Sequence, residues 1–414
     1  MQSLFPLFKV DRMLMRVVVG VLALHFVSLL KGEEKLFTEA PDWSVLDPFQ
    51  KKITKSKFCK LLNEVYCPRK SWYSSWIEIL NDRARIRKTG KLDSWYDLVF
   101  NNKENEGSKF DFNKTFLNTR IALDPGHIGG KYSLMEGRHF SIGEDPPVRE
   151  GEICLMVAKN LEEKLKAVGA EVFLVRKINE PVTKNRPEDF TKEATSWLEN
   201  RNSQIGEKFS KEQKLKLIQN RKEVLFYRLS EIHSRARLVN ERIKPDLVIC
   251  LHINAAPWKD PDYPSLVQRN DYHVLVNGCY MGGEIADDFQ RFEMIHRLLN
   301  GWHEKERLLA EEISYSFSKR TGLPAFVYKG PNAVKVGKVP GVWGRNLLAN
   351  RIYSCPVVFL EPYVANSIEA YQHIQMGNYQ GRKLVLGKLK KSIVEEYAES
   401  VFLGLKNIYG QSNL

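Results

Sequence analysis

The chain has 414 residues, of which 43% are hydrophobic, and this content excludes an intrinsically disordered protein. Its formal net charge of +13 favours an anionic neighbour, which could be nucleic acid, an anionic membrane surface or an anionic cell wall. Because the excess is diffuse and no RNA- or DNA-binding motif accompanies it, we expect no nucleic-acid partner, and solubility explains the charge equally well.

The N-terminus, residues 1–32, has the order of a secretory signal peptide. Basic residues precede the apolar run VVVGVLALHFVSLL at residues 17–30, and the polar sequence KGEEK ends it. The run is short for a membrane span. We therefore predict a signal peptide or an uncleaved N-terminal anchor, with the protein exported to the periplasm or cell envelope. Membrane contact is expected only through this segment, if it is retained.

Residues 33–118 differ in composition from the rest, and we interpret them as a mainly helical N-terminal region followed by a linker. Their tryptophans are expected to pack in a small core, and WYSSWIEILNDRARI reads as an amphipathic helix. Cys59 and Cys67 flank a predicted helix and could form a local disulfide. Other cysteines lie in apolar stretches and are expected to be small core residues, namely Cys154, Cys250 and Cys355.

Residues 119–414 alternate between strand and helix patterns, which predicts an α/β domain with a single, mostly parallel sheet and helices on both faces. The predicted strands are RIALD, AEVFLVR, PDLVICLHIN, DYHVLVN and CPVVFLE. Predicted helices begin at EGEICLMV and at ERLLAEEI, and residues 380–408 are expected to form a closing helix. Two insertions interrupt this alternation, at about 180–232 and 281–303, and the first reads as a long helix from about Lys211 onward.

Ionisable residues stand at the ends of these elements. His127 follows the first strand, His252 and Glu361 end two later strands, and Glu150 opens the first helix. Because the carboxyl ends of parallel strands meet at one edge, we expect these side chains to gather there. Two imidazoles and one carboxylate are a zinc ligand set that leaves a position for water, and a further carboxylate could take the proton of that water.

Each of these residues also has an explanation that involves no chemistry. His252 could be a neutral core histidine, Glu150 could complement the helix dipole, and Glu361 could end its strand facing water. Each explanation is acceptable alone. The four residues together, all at element ends on one edge, favour a functional site.

The motifs around these residues resemble those of the zinc-dependent N-acetylmuramoyl-L-alanine amidases of the amidase type 3 family. IALDPGHIGG is similar to the opening strand and DPGHGG turn of that family, and REGEICLMVAKNLEEKLKAVGAEVFLVR to its glutamate, helix and second strand. RARLVNERIKPDLVICLHINAA and PVVFLEPYVANSIEAY resemble its later motifs in the same order. The resemblance covers roughly residues 119–408.

This resemblance implies Zn2+ bound by His127, Glu150 and His252, with Glu361 as general acid/base. It implies hydrolysis of the amide that joins N-acetylmuramic acid to L-alanine of the stem peptide, so peptidoglycan is the expected partner. Arg345 could pair with a stem-peptide carboxylate. Since the stretch between His127 and Glu150 is longer than is usual for the family, it also contains rival ligands, namely Glu136, Glu144 and Glu152.

Two other functions are compatible with the sequence. Another zinc peptidase or amide hydrolase of the cell wall would use the same metal set, and a non-catalytic cell-wall-binding protein could have the same fold. The groove, rather than the metal ligands, selects the bond that is cleaved.

The second insertion could control the activity. Some members of the resembled family hold a helix over the zinc until an activator protein removes it. Residues 281–305 could form such a cover, with Glu284, Asp287 or Asp288 at the open zinc position. Alternatively, the apolar residues of this segment are the stripe of an ordinary packed helix. The charged insertion at 180–232 could be the docking arm of an activator.

Overall fold

The structure is a computed structural model that describes residues 36–91, 94–103, 115–205, 209–260 and 264–410. The predicted signal peptide or anchor and most of the predicted linker lie outside these ranges. Within them, none of the helices has both the length and the apolar character that a membrane span needs.

The secondary structure of the described residues follows in chain order. The strands are β1 (Ile77–Ile79), β2 (Arg83–Arg87), β3 (Trp95–Val99), β4 (Arg120–Pro125), β5 (His139–Phe140), β6 (Val148–Arg149), β7 (Glu171–Leu174), β8 (Leu247–Leu251), β9 (Tyr272–Val276), β10 (Val334–Lys335), β11 (Val342–Gly344), β12 (Val357–Pro362), β13 (Lys383–Val385) and β14 (Lys388–Lys390). The α-helices are α1 (Lys55–Leu61), α2 (Lys70–Tyr73), α3 (Glu150–Ala167), α4 (Thr191–Ile205), α5 (Lys211–Val224), α6 (Glu231–Arg237), α7 (Gly282–Ile285), α8 (Asp288–Asn300), α9 (Trp302–Thr321), α10 (Leu348–Arg351), α11 (Ile368–Gln375) and α12 (Ile393–Tyr409).

The central sheet has the order β10-β11-β9-β12-β8-β4-β7, seven strands within the described ranges. β12, β8, β4 and β7 are parallel neighbours, as predicted. The sheet is nevertheless mixed, because β9 runs antiparallel to β12. No helix is present in the described residues between β8 and β9, and a parallel return would need a crossover connection.

Helices cover both faces of this sheet, so the predicted α/β architecture is confirmed at this level. On one face, α3, α9 and α12 pack together over a continuous apolar core that includes Val157, Leu161, Ile313, Val401 and Leu405. On the other face, the end of the long helical segment that begins at Lys211 packs through Ala236, Val239 and Ile243. That segment is helical to Ile243, with two π-helical stretches, Leu225–Ser230 and Leu238–Ile243.

The prediction for the N-terminal region is confirmed only in part, because a small antiparallel sheet accompanies its helices. β1, β2 and β3 form an antiparallel sheet beside helical turns, and the sequence predicted as an amphipathic helix supplies β1 and β2. Ala84 and Ile86 are buried while the flanking arginines of RARIR are not, which is the period-two pattern of a strand. All six cysteines are free, so the disulfide that Cys59 and Cys67 could form is not present in this structure.

The second insertion belongs to the core of this N-terminal region. Met294, Ile295 and Leu298 of α8 are buried in one apolar cluster with side chains that precede the central sheet in sequence, among them Leu46, Phe58, Leu62, Tyr66 and Leu98. The Trp43 ring packs edge-on against Phe292, with centroids 5.3 Å apart. The apolar stripe of α8 is therefore that of an ordinary packed helix.

The closing helix begins later than predicted. Residues 383–390 form the β13–β14 hairpin, and α12 starts only at Ile393, where the Ser392 hydroxyl accepts from the Glu395 N–H as N-cap. Leu386 and Gly387 have φ of 48° and 75°, a backbone that a helix cannot accommodate. The lysine and leucine pattern of this stretch fits a helix as well as a hairpin, which explains the wrong prediction.

Candidate metal centre

Three neighbouring parallel strands end at the same edge of the central sheet. β4 is followed by His127, β8 by His252, and Glu361 lies near the end of β12. β8 pairs with both β4 and β12, so the three strand ends are adjacent. Glu150 begins α3 beside them. The four elements therefore meet at one edge of the sheet, as expected.

Two glycines allow close approaches around the centre: Gly126 lies against the His252 ring, and Gly151 of α3 lies against the His127 turn. A Cβ on Gly126 would lie 2.4 Å from the His252 ring, and a Cβ on Gly151 would lie 2.6 Å from the Gly129 nitrogen. His127 itself has a φ of 56°, an unusual conformation for a residue with a side chain. These two glycines therefore provide the space in which two imidazoles and a carboxylate can meet.

His127, Glu150 and His252 form a compact group that could hold a metal ion. Each offers one ligand atom, and these atoms lie within 4.8 Å of one another. Glu150 Oε2 is 3.2 Å from His127 Nε2, and Glu150 Oε1 is 3.1 Å from His252 Nδ1. The rings lie 5.0 Å apart at 82° to each other. The donor set of two imidazoles and one carboxylate fits a divalent transition metal.

A buried arginine network holds the His127 turn rigidly. Arg235 donates to Asp124 Oδ1 (2.8 Å), to the Pro125 carbonyl (2.7 Å) and to the His127 carbonyl (2.7 Å), and its Nε donates to Glu231 (2.7 Å). Its guanidinium thus joins the long helical segment to the end of β4. These contacts give Arg235 a structural role.

Glu136 supports His127 from the side of the ring that faces away from Glu150. Its Oε1 lies 3.5 Å from His127 Nδ1, and the carboxylate also accepts from the Ile128 N–H (3.0 Å) and the Gly129 N–H (3.2 Å). A carboxylate on the second nitrogen of a metal-binding histidine fixes the tautomer and orientation of its ring. Glu136 had been expected as a rival ligand, and it lies outside the group that could hold the ion.

The other two rival ligands also lie outside that group. Glu152 accepts from Arg149 Nη1 at 3.1 Å, and Glu144 is exposed to solvent. Like Glu136, both lie close to His127 and Glu150 in the sequence. Nothing in the surrounding sequence distinguishes the three glutamates.

Arg138 is a site residue that sequence reasoning missed. Its Nε lies 3.1 Å from His127 Nε2 and 3.2 Å from Glu150 Oε2. The cationic side chain of Arg138 therefore contacts two atoms that could bind the metal ion. This contact indicates that these atoms favour a positive charge. The extra length of the stretch between His127 and Glu150 was the only signal that pointed to this region.

The ionisable groups of the centre shift one another's pKa. Burial opposes charge on His127, but Glu150 and Glu136 outweigh it and raise its pKa to about 9. Burial also opposes charge on Glu150, yet the two histidines hold its pKa well below the usual range. For His252 burial prevails, and the pKa is lowered. Glu150 is therefore the anionic centre around which a cation would bind.

Glu361 belongs to the same electrostatic environment. Burial, followed by the charge of Glu150, raises its pKa to about 8, while Arg138, His127 and Arg345 act in the opposite direction. Glu361 is half-buried, and its raised pKa favours the protonated carboxyl more than in an exposed glutamate.

Arg345 lies close enough to lower the pKa of Glu361 by its charge. Its Nη1 donates to the Tyr328 hydroxyl (3.2 Å), and its guanidinium stands 5.6 Å from the centroid of that ring. The backbone N–H of Arg345 donates to Val276 at the end of β9 (2.9 Å). The charge of this arginine thus reaches the candidate acid–base residue.

The acidic residues of the second insertion are engaged elsewhere. Glu284 accepts from the Met281 N–H (2.7 Å), Asp287 caps α8 by accepting from Phe289 and Gln290, and Asp288 pairs with Arg291 (2.7 Å). None of the three belongs to the metal-type group that the described residues contain. Of the two alternatives for this segment, these contacts support the ordinary packed helix.

No family model matches the chain, and no curated protein matches it in sequence. Among solved structures, the chain is similar to the CwlD amidase from Clostridioides difficile, solved in complex with the GerS lipoprotein, with 12% identity, a TM-score of 0.39, and coverage of 71% of this chain and 99% of that one. It is similar to the N-acetylmuramyl-L-alanine amidase Ami1 from Mycobacterium smegmatis, with 13% identity, a TM-score of 0.38, and coverage of 72% and 100%. The catalytic domain of the N-acetylmuramoyl-L-alanine amidase CwlV from Bacillus (Paenibacillus) polymyxa matches with 13% identity, a TM-score of 0.36, and coverage of 70% and 97%.

Proposed function

We propose that this protein is a zinc-dependent peptidoglycan hydrolase that cleaves the amide between N-acetylmuramic acid and L-alanine of the stem peptide. The observation that carries the proposal is the convergence of His127, Glu150 and His252 beside Glu361 at the ends of three parallel strands. The motif order of the amidase type 3 family, which the sequence resembles, selects this reaction among those that such a centre supports.

The ligand set supports zinc in particular. Two imidazoles and one carboxylate leave a coordination position open, which is the composition of many catalytic zinc sites. When bound, zinc would lower the pKa of a water molecule towards neutrality and polarise the carbonyl of the amide that is cleaved. In this proposal Glu136 keeps His127 in the orientation that metal binding needs, through its contact with Nδ1.

Glu361 is the proposed general acid/base. Its raised pKa, to about 8, lets the carboxyl exchange protons near neutral pH. It would accept a proton from the attacking water and pass it to the nitrogen of the leaving L-alanine. Stacking of the His252 ring on Phe359, with centroids 4.3 Å apart, ties a proposed metal ligand to the strand that bears this acid–base residue.

Arginines beside the centre are proposed to recognise the substrate. Arg345, held by Tyr328, would pair with a carboxylate of the stem peptide. Arg138 is 47% exposed in its side chain and has a donor within reach of the metal-binding atoms. It would move onto the substrate when a metal ion takes its place beside Glu150.

The setting of the activity is also part of the proposal. Residues 1–32 would direct export to the periplasm or cell envelope, where peptidoglycan is found. Residues 119–414 would be the catalytic domain, and 33–118 an N-terminal region and linker that shares an apolar core with α8. An activator protein would bind the insertion at about 180–232. Leu225, Phe226 and Leu229 of that insertion pack against Ile128 and Tyr132, directly behind the His127 turn.

Mass spectrometry of purified peptidoglycan after incubation with the protein, with and without a chelator, tests the proposal. We expect free stem peptides that begin with L-alanine, and none when zinc is removed. Shortened stem peptides would instead identify a cell-wall peptidase. Binding to peptidoglycan without products, in a zinc-loaded sample, would indicate a non-catalytic binding protein.

A further inference from the structure

The hairpin of residues 381–391 has an unusual surface, and we call it the leucine hairpin. β13 and β14 pair in antiparallel register, with Leu384 opposite Leu389 and Val385 opposite Lys388. Leu386 and Gly387 form the turn, and both have positive φ. Opposite residues in such a pair point to the same side, so Leu384 and Leu389 share one face.

The apolar face of this hairpin points to solvent instead of the core. Leu384 and Leu389 are each 65% exposed, and Leu386 at the turn is 53% exposed. On the opposite face Val385 is buried, and Lys390 reaches Glu369 at 2.7 Å. A water-exposed hairpin normally has the reverse pattern, with its apolar side chains towards the protein. A cluster of exposed leucines of this kind marks an interaction surface.

Basic side chains lie on the other face of the hairpin and beside its strands. Lys383, Lys388 and Lys390 share the face of Val385, opposite the leucines, and Arg382 and Lys391 flank the two strands. The sequence contains no acidic residue between Glu369 and Glu395, whereas the leucine hairpin carries five basic residues, namely Arg382, Lys383, Lys388, Lys390 and Lys391. Lys390 and Lys391 pair with glutamates. The other three are exposed: Lys383 Nζ stands 4.6 Å from the centroid of the Tyr379 ring, the charge of Lys388 contributes to lowering the pKa of Glu369, and Arg382 forms no ion pair with the described residues. An anionic partner can reach all three.

The base of the hairpin is firmly attached to the protein. The Tyr379 hydroxyl donates to the Lys390 carbonyl (2.9 Å), and His373 Nε2 lies 2.7 Å from the Lys391 carbonyl. The Ser392 hydroxyl donates to Asn378 (3.1 Å). A fixed base holds the exposed tip in one place, which lowers the entropic cost of docking.

We propose that the leucine hairpin docks the protein on an anionic lipid membrane. Exposed leucines at a turn can enter the boundary between head groups and acyl chains, and flanking lysines and arginines attract the anionic head groups. A soluble anionic polymer would satisfy the basic residues alone and would leave the leucines in water. This surface adds a membrane contact to the one expected from the N-terminal segment, and it does not depend on the proposed hydrolase activity.

Hydrogen exchange of the full chain, measured by mass spectrometry with lipid vesicles, tests this proposal locally. We expect vesicles of phosphatidylcholine with phosphatidylglycerol to slow exchange of the amides in residues 382–390, and vesicles of phosphatidylcholine alone to have little effect. An N-terminal anchor would not by itself protect this hairpin. Unchanged exchange of residues 382–390 with the anionic vesicles would overturn the proposal.

Two variants separate the contributions of the leucines and the charges. Leu384→Ser with Leu389→Ser removes the exposed apolar face, and Arg382→Glu with Lys388→Glu reverses two exposed charges. Each pair is expected to abolish the protection and to weaken vesicle binding by about tenfold or more. The matched controls are Leu117→Ser with Leu215→Ser and Lys192→Glu with Lys214→Glu, since these side chains are exposed elsewhere on the protein.

A soluble polyanion provides the remaining comparison. Polyphosphate should not protect the hairpin as the anionic vesicles do. If polyphosphate protects residues 382–390 equally, and still does so in the doubly serine-substituted protein, the surface binds an anionic polymer and the membrane proposal is wrong. Circular dichroism checks that the variants are folded, which we expect because both leucines are largely exposed.

Discussion

A substitution at Glu361 can separate the loss of acid–base chemistry from the loss of metal binding. Glu361→Gln keeps the size of the side chain but removes its ability to accept a proton. Because Glu361 lies outside the group of three that could hold the ion, zinc content should remain near that of the wild type. Hydrolysis of peptidoglycan should fall about 10²–10⁴-fold, as measured by release of stem peptides.

His252→Ala is the control for this prediction. It removes a proposed ligand, so zinc content measured by metal analysis should fall together with activity. Near-normal turnover in Glu361→Gln would eliminate this residue as the acid–base group. A full equivalent of zinc in His252→Ala would show that the ligand set is wrong.

Glu136 is predicted to act through His127, without touching the substrate. Glu136→Gln replaces the carboxylate that lies 3.5 Å from His127 Nδ1 with a neutral amide. Loss of such a partner typically weakens metal binding about 10–100-fold, and a chelator competition assay measures this directly. Glu144→Gln, at an exposed position in the same stretch, should leave zinc affinity unchanged. Equal affinity of the two variants would contradict the orienting role of Glu136.

At the scale of elements, α8 joins the second insertion to the N-terminal region. Met294 is fully buried in their common apolar cluster, so Met294→Ala should lower the free energy of unfolding by about 2–5 kcal/mol. Ile295→Val, which removes one methylene from the adjacent buried position, should cost only about 0.5–1.5 kcal/mol. Urea unfolding measures both. A loss for Met294→Ala no larger than that for Ile295→Val would mean that α8 is loosely packed.

Because α8 is packed into the N-terminal core, deletion of the second insertion should affect the stability of the protein. Removal of residues 283–302 would take Met294, Ile295 and Leu298 out of the N-terminal core. We therefore expect a destabilised protein, whereas deletion of a simple cover would give a more active one. The position of α8, built into a core, makes it a structural connection between two regions of the chain.

For the whole molecule, buried histidines predict a loss of stability in mild acid. Burial, reinforced by neighbouring arginines, lowers the pKa to about 4 for His233, His296 and His303, and to about 3 for His273. In the unfolded chain these histidines have a pKa of about 6.5. Since the unfolded state then binds more protons, the stability they provide is complete above about pH 6.5 and is lost as the pH falls towards about 4.

Each of these histidines contributes up to about 1.4 kcal/mol per pH unit within that range. His296→Phe tests one of them, because the ring is already stacked on Phe292 and a phenyl ring can replace it. Urea unfolding between about pH 7 and about pH 5 should give a shallower pH dependence for the variant, by about one proton. An identical slope in both proteins would mean that His296 is not neutral in the folded state.

The sequence by itself determined the strand and helix alternation from residue 119 onward and the four residues of the candidate site. These features are local: apolar runs mark buried strands, and ionisable residues stand directly after them. His127, His252 and Glu361 end up together because their strands are parallel neighbours, and parallel α/β topology brings the carboxyl ends of strands to one edge.

Only the tertiary structure decided the features that depend on distant partners. Glu136, Glu144 and Glu152 look alike in sequence, and the fold of the His127 turn selects Glu136 by bringing two backbone N–H groups to its carboxylate. The apolar residues of α8 fit a cover or a packed helix, and N-terminal side chains more than 190 residues earlier make it the latter. Residues 383–390 fit a helix by periodicity, but positive φ at Leu386 and Gly387 makes them a hairpin. In each case the local pattern permits several states, and contacts between remote parts of the chain provide the free energy that selects one.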